Sequence, residues 1–115
     1  MSKENVLFIL TDQWPAWAFS FLGADIATPN IDRLAEQGVK FTSFHVNPVC
    51  VPSRVSLMSG QYTLDCEERP HAGKTGIYQN VTLLPQYLQK AGYVTGGFGK
   101  WHLGHHPDFW PLNNG

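Results

Sequence analysis

Apolar and polar residues alternate between two rhythms along this chain. Asn5-Val6-Leu7-Phe8-Ile9-Leu10 is a continuous apolar run bounded by polar residues. Such a run predicts a central strand of a parallel sheet, covered on both faces. Thr28 to Gly38 has helical spacing, with Ile31, Leu34 and Ala35 on one face. Thr28 is placed to cap it, Pro29 to start it and Gly38 to end it. Val39 to Val46 alternates with a period of two and predicts a strand. Ser53 to Ser59 predicts a short helix, with Pro52 as first helical residue, Val55, Leu57 and Met58 inward, and Gly60 as the stop. Thr82 to Ala91 predicts another helix, capped by Thr82, with Pro85 in its first turn and Leu83, Leu84, Tyr87, Leu88 and Ala91 as its stripe. Tyr93 to Phe98 reads as a glycine-rich strand. Trp14 to Gly23 is aromatic and ambiguous, and Gln61 to Gln79 reads as loop. This order of strands and helices predicts an α/β fold with a parallel or mixed sheet.

Bulk properties narrow the class. The 115 residues suffice for one small domain, and 43% hydrophobic and 13% aromatic content suits a folded chain. A net charge of −1 implies no polyanion surface, so no nucleic-acid partner is expected. No apolar run reaches the ~20 residues of a membrane span. The first residues show no signal-peptide pattern, which predicts a cytoplasmic location unless a leader has been removed. Cys50 and Cys66 give no disulfide framework.

Candidate chemistry centres on Cys50-Val51-Pro52-Ser53-Arg54. Cys50 would precede a helix N-terminus, whose N–H groups and partial positive charge suit a nucleophile or an anion. Arg54, one turn in, offers a planar fork that matches sulfate or phosphate. The competing reading is a small buried thiol and a surface charge. Asp12 ends the first predicted strand, where open α/β sheets place ligands, although it also suits a cap for the next helix. Gly73-Lys74-Thr75 is not the end of a phosphate-binding loop, since Glu68 stands where that loop needs glycine. His45 reads as structural and His71 as a loop residue without a role. His105 and His106, adjacent on an extended segment, face opposite ways and read as loop.

Cys50-x-Pro-Ser-Arg54 resembles the signature of the sulfatases of the alkaline phosphatase superfamily. Gly92 to Gly104, with Gly99-Lys100-Trp101-His102, resembles the same family's second signature. The resemblance extends over Asn5 to Asp12 and Thr28 to Gly38 and weakens at about 61–80. It implies the N-terminal part of an alkaline-phosphatase-like sandwich, with a mainly parallel central sheet flanked by helices. Residues 1–115 would then be an incomplete catalytic domain. It also implies that a separate maturation enzyme oxidises Cys50 to formylglycine, whose hydrate attacks the sulfur of a sulfate ester. The sulfate ester would be a small molecule or a sulfated glycan. Asp12, Gln13 and the modified Cys50 would hold a divalent metal, with Ca²⁺ ahead of Mg²⁺ or Mn²⁺. Arg54 would orient the hydrate, Lys100 would bind a sulfate oxygen, and His102 would hydrogen-bond the hydrate. The family usually has two adjacent Asp residues where this chain has Asp12-Gln13, a departure that resembles the choline-sulfatase and phosphonate monoester hydrolase branches. A phosphonate monoester or phosphodiester hydrolase is therefore the nearest alternative, and a non-catalytic fragment the second.

Overall fold

The helix that carries Cys50 is α2, Cys50–Ser59. It starts two residues before Pro52, so Cys50 is its first residue rather than the residue ahead of it. Pro52 is tolerated because the first four N–H groups of a helix have no intrahelical acceptor. Gly60 ends the helix in the left-handed conformation (φ 69°), and its N–H bonds the Ser56 carbonyl. The computed structural model describes residues 4–63, 67–71, 74–77 and 80–115. It divides into two units, Met1–Phe44 and His45–Gly115.

In the first unit, α1 spans Pro29–Gln37, close to the helix expected at Thr28–Gly38. Its stripe is not buried: Ile31 and Leu34 are exposed. What fixes its start is polar. The Ser20 hydroxyl donates to Asp32 Oδ2 at 2.6 Å, and the Thr28 hydroxyl donates to Oδ1 at 2.9 Å. Thr28 N–H returns a bond to Ser20 Oγ at 2.8 Å. Thr28 thus gives its hydroxyl to a side chain and makes no side-chain cap. Two short 3-10 turns, Ala16–Ala18 and Ser20–Leu22, occupy the aromatic stretch. Here Trp14, Phe19 and Phe21 form a chain of ring contacts at 5.9 and 5.3 Å.

Two strands expected in this unit are absent among its described residues. Val6 to Leu10 is extended but unpaired, with Leu7 85% exposed. Val39 to Phe44 is exposed and makes no strand. A strand exists only through hydrogen bonds to a neighbour, and no neighbouring strand lies among the described residues of this unit.

The second unit is built around Val55, Ile77, Leu83, Leu103 and Phe109, with Val51, Met58, Val81 and Trp101 against them. Each of those five buried side chains contributes about 1.5–3 kcal/mol. The region expected to be loop contains a hairpin: β1, Glu67–His71, pairs antiparallel with β2, Lys74–Ile77. The register runs Glu67↔Ile77, Glu68↔Gly76 and His71↔Lys74, with an irregularity between. Cys66 lies outside the described residues.

α3 is Leu84–Lys90. Its cap is Leu83 rather than Thr82, and the Gln86 side chain accepts the Leu83 N–H at 2.7 Å. Tyr93 to Phe98 is coil, not strand, with Val94 and Phe98 both 101% exposed. Two 3-10 turns, Pro107–Phe109 and Pro111–Asn113, follow. No described helix is long and apolar enough to cross a membrane.

Candidate active site

Three elements of the second unit converge. α2 presents Cys50, a half-buried free thiol, at its N-terminal end. Arg54, four residues on, shares the face of Cys50, because such residues stack along a helix. Arg54 is only 7% exposed. Its Nη1 donates to the Lys100 carbonyl at 2.5 Å. A buried charged group needs such a partner, and this one ties α2 to the Gly99–His102 segment.

The Lys100–His102 segment is held from its other side as well. Trp101 Nε1 donates to the Phe109 carbonyl at 2.7 Å. Ile77 N–H donates to the Leu103 carbonyl at 3.1 Å, and Gly76 and Gly104 form an isolated antiparallel bridge. The Phe109 ring packs against both glycines. A Cβ on Gly76 would meet its ring at 2.7 Å, and one on Gly104 would meet Cγ at the same distance. Val55 beside Arg54 and Leu103 beside His102 share one core. The structure therefore brings Cys50, Arg54, Lys100 and His102 into a single packed unit. Asp12 and Gln13 belong to the first unit, exposed and in coil.

Backbone strain marks the same positions. The non-glycine residues with positive φ among those described are Gln13 (53°), Val49 (69°) and His102 (63°). Two are candidate site residues and the third adjoins Cys50. Such conformations cost about 1–3 kcal/mol each and cluster at functional sites. Val49 is the most costly kind, a β-branched residue in a region that suits glycine.

His102 is half-buried, and its Nδ1 is buried without a hydrogen-bond partner among the described residues. A buried orphan of this kind calls for an explanation, and a bound ligand is one. The ring lies edge-on to His105, with centroids 6.3 Å apart. His105 and His106 do separate work: the Trp110 indole donates to the His105 carbonyl, and His106 Nδ1 lies 2.9 Å from Asp108 Oδ2. His45 is exposed, and the side chain of His71 lies outside what the structure describes.

Asp12 and Gln13 carry side-chain oxygens, the kind of donor a hard cation takes. Among the described residues no group of three or more His, Cys, Asp or Glu side chains gathers. Ca²⁺ takes six to eight oxygens.

The sulfatase family's sequence model matches residues 4–110. This chain belongs to the sulfatase family. Human N-acetylgalactosamine-6-sulfatase is 40% identical over 96% of this chain. Human arylsulfatase G is 40% identical over 95% of it. An ulvan-active sulfatase of Formosa agariphila is 37% identical over 91% of it. The sulfatase chain spans 24%, 22% and 20% of those relatives' own lengths. None of the three carries the choline-sulfatase or phosphonate-hydrolase name that Asp12-Gln13 suggested. The family's fold is an alkaline-phosphatase-like α/β fold. The expected cytoplasmic location is overturned, because close relatives such as N-acetylgalactosamine-6-sulfatase are lysosomal or secreted. The pattern of the first few residues was no basis for an address.

Sequence reasoning missed Phe109, Gly76 and Asn47. Phe109 and Gly76 are set by contacts with distant parts of the chain and leave no local pattern. Asn47 had a signal, a polar side chain just before the Pro48–Pro52 loop.

Proposed function

We propose that this chain supplies the nucleophile and anion-binding part of a sulfuric ester hydrolase, releasing inorganic sulfate and an alcohol. Residues 1–115 are the N-terminal segment of that catalytic domain. The observation that carries the reading is the Arg54–Lys100 bond, which joins the two signatures in one buried arrangement. The names of the relatives, N-acetylgalactosamine-6-sulfatase and ulvan-active sulfatase, favour a sulfated glycan as substrate.

Cys50 fits conversion to formylglycine by a maturation enzyme, since it is a free thiol at the end of a helix. Formylglycine supplies a nucleophilic oxygen, and a divalent cation, Ca²⁺ first, supplies charge neutralisation for the sulfuryl oxygens. Asp12, Gln13 and the converted Cys50 would hold that cation. The rest falls to the chain's own side chains. Lys100, exposed at the edge of the unit, binds a sulfuryl oxygen. Arg54 keeps the Lys100 backbone in register with α2. His102 would hydrogen-bond an oxygen of the reacting group or assist its collapse. The N–H groups at the start of α2 add fixed dipoles toward an anion. Val6 to Leu10 and Tyr93 to Phe98 each expose apolar side chains that would suit strands of a larger sheet.

The test uses the full-length protein co-expressed with a formylglycine-generating enzyme. Release of sulfate from an aryl sulfate, lost in C50A, supports the reading. Faster cleavage of a phosphonate monoester or phosphodiester than of the sulfate would favour the alternative that Asp12-Gln13 suggests. No cleavage of any of these esters would refute it.

A further inference from the structure

Val49 immediately precedes Cys50 and holds φ 69° and ψ 149°. A β-branched residue adopts that conformation only when its surroundings impose it. Its own packing does not, since the side chain is 74% exposed. Nor does a cap, because Val49 makes no side-chain cap hydrogen bond. On one side, the turn is fixed by the Ser53 N–H, which donates to the Val49 carbonyl at 3.3 Å. On the other side, Asn47 lies two residues before Val49.

Asn47 is anchored by a side-chain network. Its Nδ2 donates to Ser56 Oγ at 2.6 Å and to Thr63 Oγ1 at 3.1 Å. The Thr63 hydroxyl donates to the Pro52 carbonyl at 3.0 Å. The Ser56 hydroxyl, 2.8 Å from Thr63 Oγ1, then has Thr63 as its acceptor. Asn47 Nδ2 also lies 3.4 Å from the Pro52 carbonyl, and a side-chain network of this kind rigidifies. It joins the loop before α2, the second turn of α2 and the segment after Gly60. We propose that Asn47 is a positioning residue for the Cys50 nucleophile, acting through this clasp with Ser56 and Thr63. The proposal rests on reading Cys50 as the source of the nucleophile.

The experiment compares wild type, N47A, N47D and S20A in the full-length, matured protein. Two quantities are read: amide exchange at Ser53 and the steady-state constants on an aryl sulfate. N47A should speed Ser53 exchange by roughly tenfold. It should lower kcat by about 10- to 100-fold with KM little changed, the effect expected of a misplaced reacting group. N47D is isosteric but cannot donate to Ser56 Oγ or Thr63 Oγ1, so it should fall with N47A rather than with wild type. S20A breaks a similar clasp in the first unit. It should lower stability but leave kcat and Ser53 exchange as in wild type. Unchanged Ser53 exchange in N47A would overturn the clasp. Faster exchange with unchanged kcat would overturn the positioning role. An inactive wild type would instead count against the proposed function, and the exchange measurement would still decide whether Asn47 fixes the turn.

Discussion

Replacing Arg54 with lysine keeps a positive charge and changes geometry alone. Arg54 reaches across 46 residues of sequence to the Lys100 carbonyl with a bond of 2.5 Å. Lysine has no planar fork and a compact ammonium on a shorter reach. A hydrogen bond to a charged group is worth about 1.5–3 kcal/mol net. If that energy serves to hold Lys100 and His102 where the transition state needs them, its loss lowers kcat/KM by about 10- to 150-fold, since 1.36 kcal/mol is tenfold. The assay is hydrolysis of a chromogenic aryl sulfate by the full-length, matured R54K protein, with a thermal melt in parallel. The expected result is a large fall in kcat/KM with folding retained. R54K activity within about threefold of wild type, a loss below 1 kcal/mol, would refute the reasoning.

Four further outcomes follow from the same geometry. G104A introduces a Cβ 2.7 Å from Phe109 Cγ at φ 142° and should destabilise by about 1–3 kcal/mol, read by urea unfolding. Adding F109L to G104A should cost less than the sum of the single changes, because the two positions share one space. The Ser20 and Thr28 hydroxyls and the Phe21 backbone hold the Asp32 carboxyl below the usual carboxylate range, Ser20 most strongly, against partial desolvation. Its contribution to stability is therefore complete above the unfolded value of about 3.9 and is lost as pH falls through the lower native value. NMR titration should show this midpoint, and S20A should raise it. The isolated 115-residue chain should turn over little or no aryl sulfate, because it spans 24% of the length of human N-acetylgalactosamine-6-sulfatase. In the full-length protein, chelation should abolish turnover and Ca²⁺ should restore it, measured by metal titration of the stripped enzyme.

The legible parts of this molecule were local. Pro29 and Gly38 bracket α1, and Gly60 ends α2, because caps and stops act through one or two residues. The two signatures also read directly, since their spacing is linear in the chain. What failed was non-local. Val6 to Leu10 and Tyr93 to Phe98 have strand composition, yet a strand needs a partner that composition does not supply. The β1–β2 hairpin went the other way. Glu67-Glu68-Arg69-Pro70-His71 has no apolar alternation, and Pro70 argues against a strand interior. Gly73 between the two segments was its one turn signal. The pairing is secured by Gly76 and Ile77 against Leu103 and Phe109, contacts that sequence spacing cannot reveal. The start of α2 shifted to Cys50 because proline is equally tolerated anywhere in a first turn. The strain at Gln13 and Val49 has no sequence signal, since neither is a residue type that favours positive φ, whereas histidine is enriched there.

The central claim is that Cys50 is the precursor of the reacting group. The direct measurement is the mass of the peptide containing Cys50, taken from a preparation of known specific activity. The account predicts an aldehyde at Cys50, with a peptide lighter than the thiol form and a modified fraction that rises with activity. A thiol at Cys50 in a fully active preparation would contradict it.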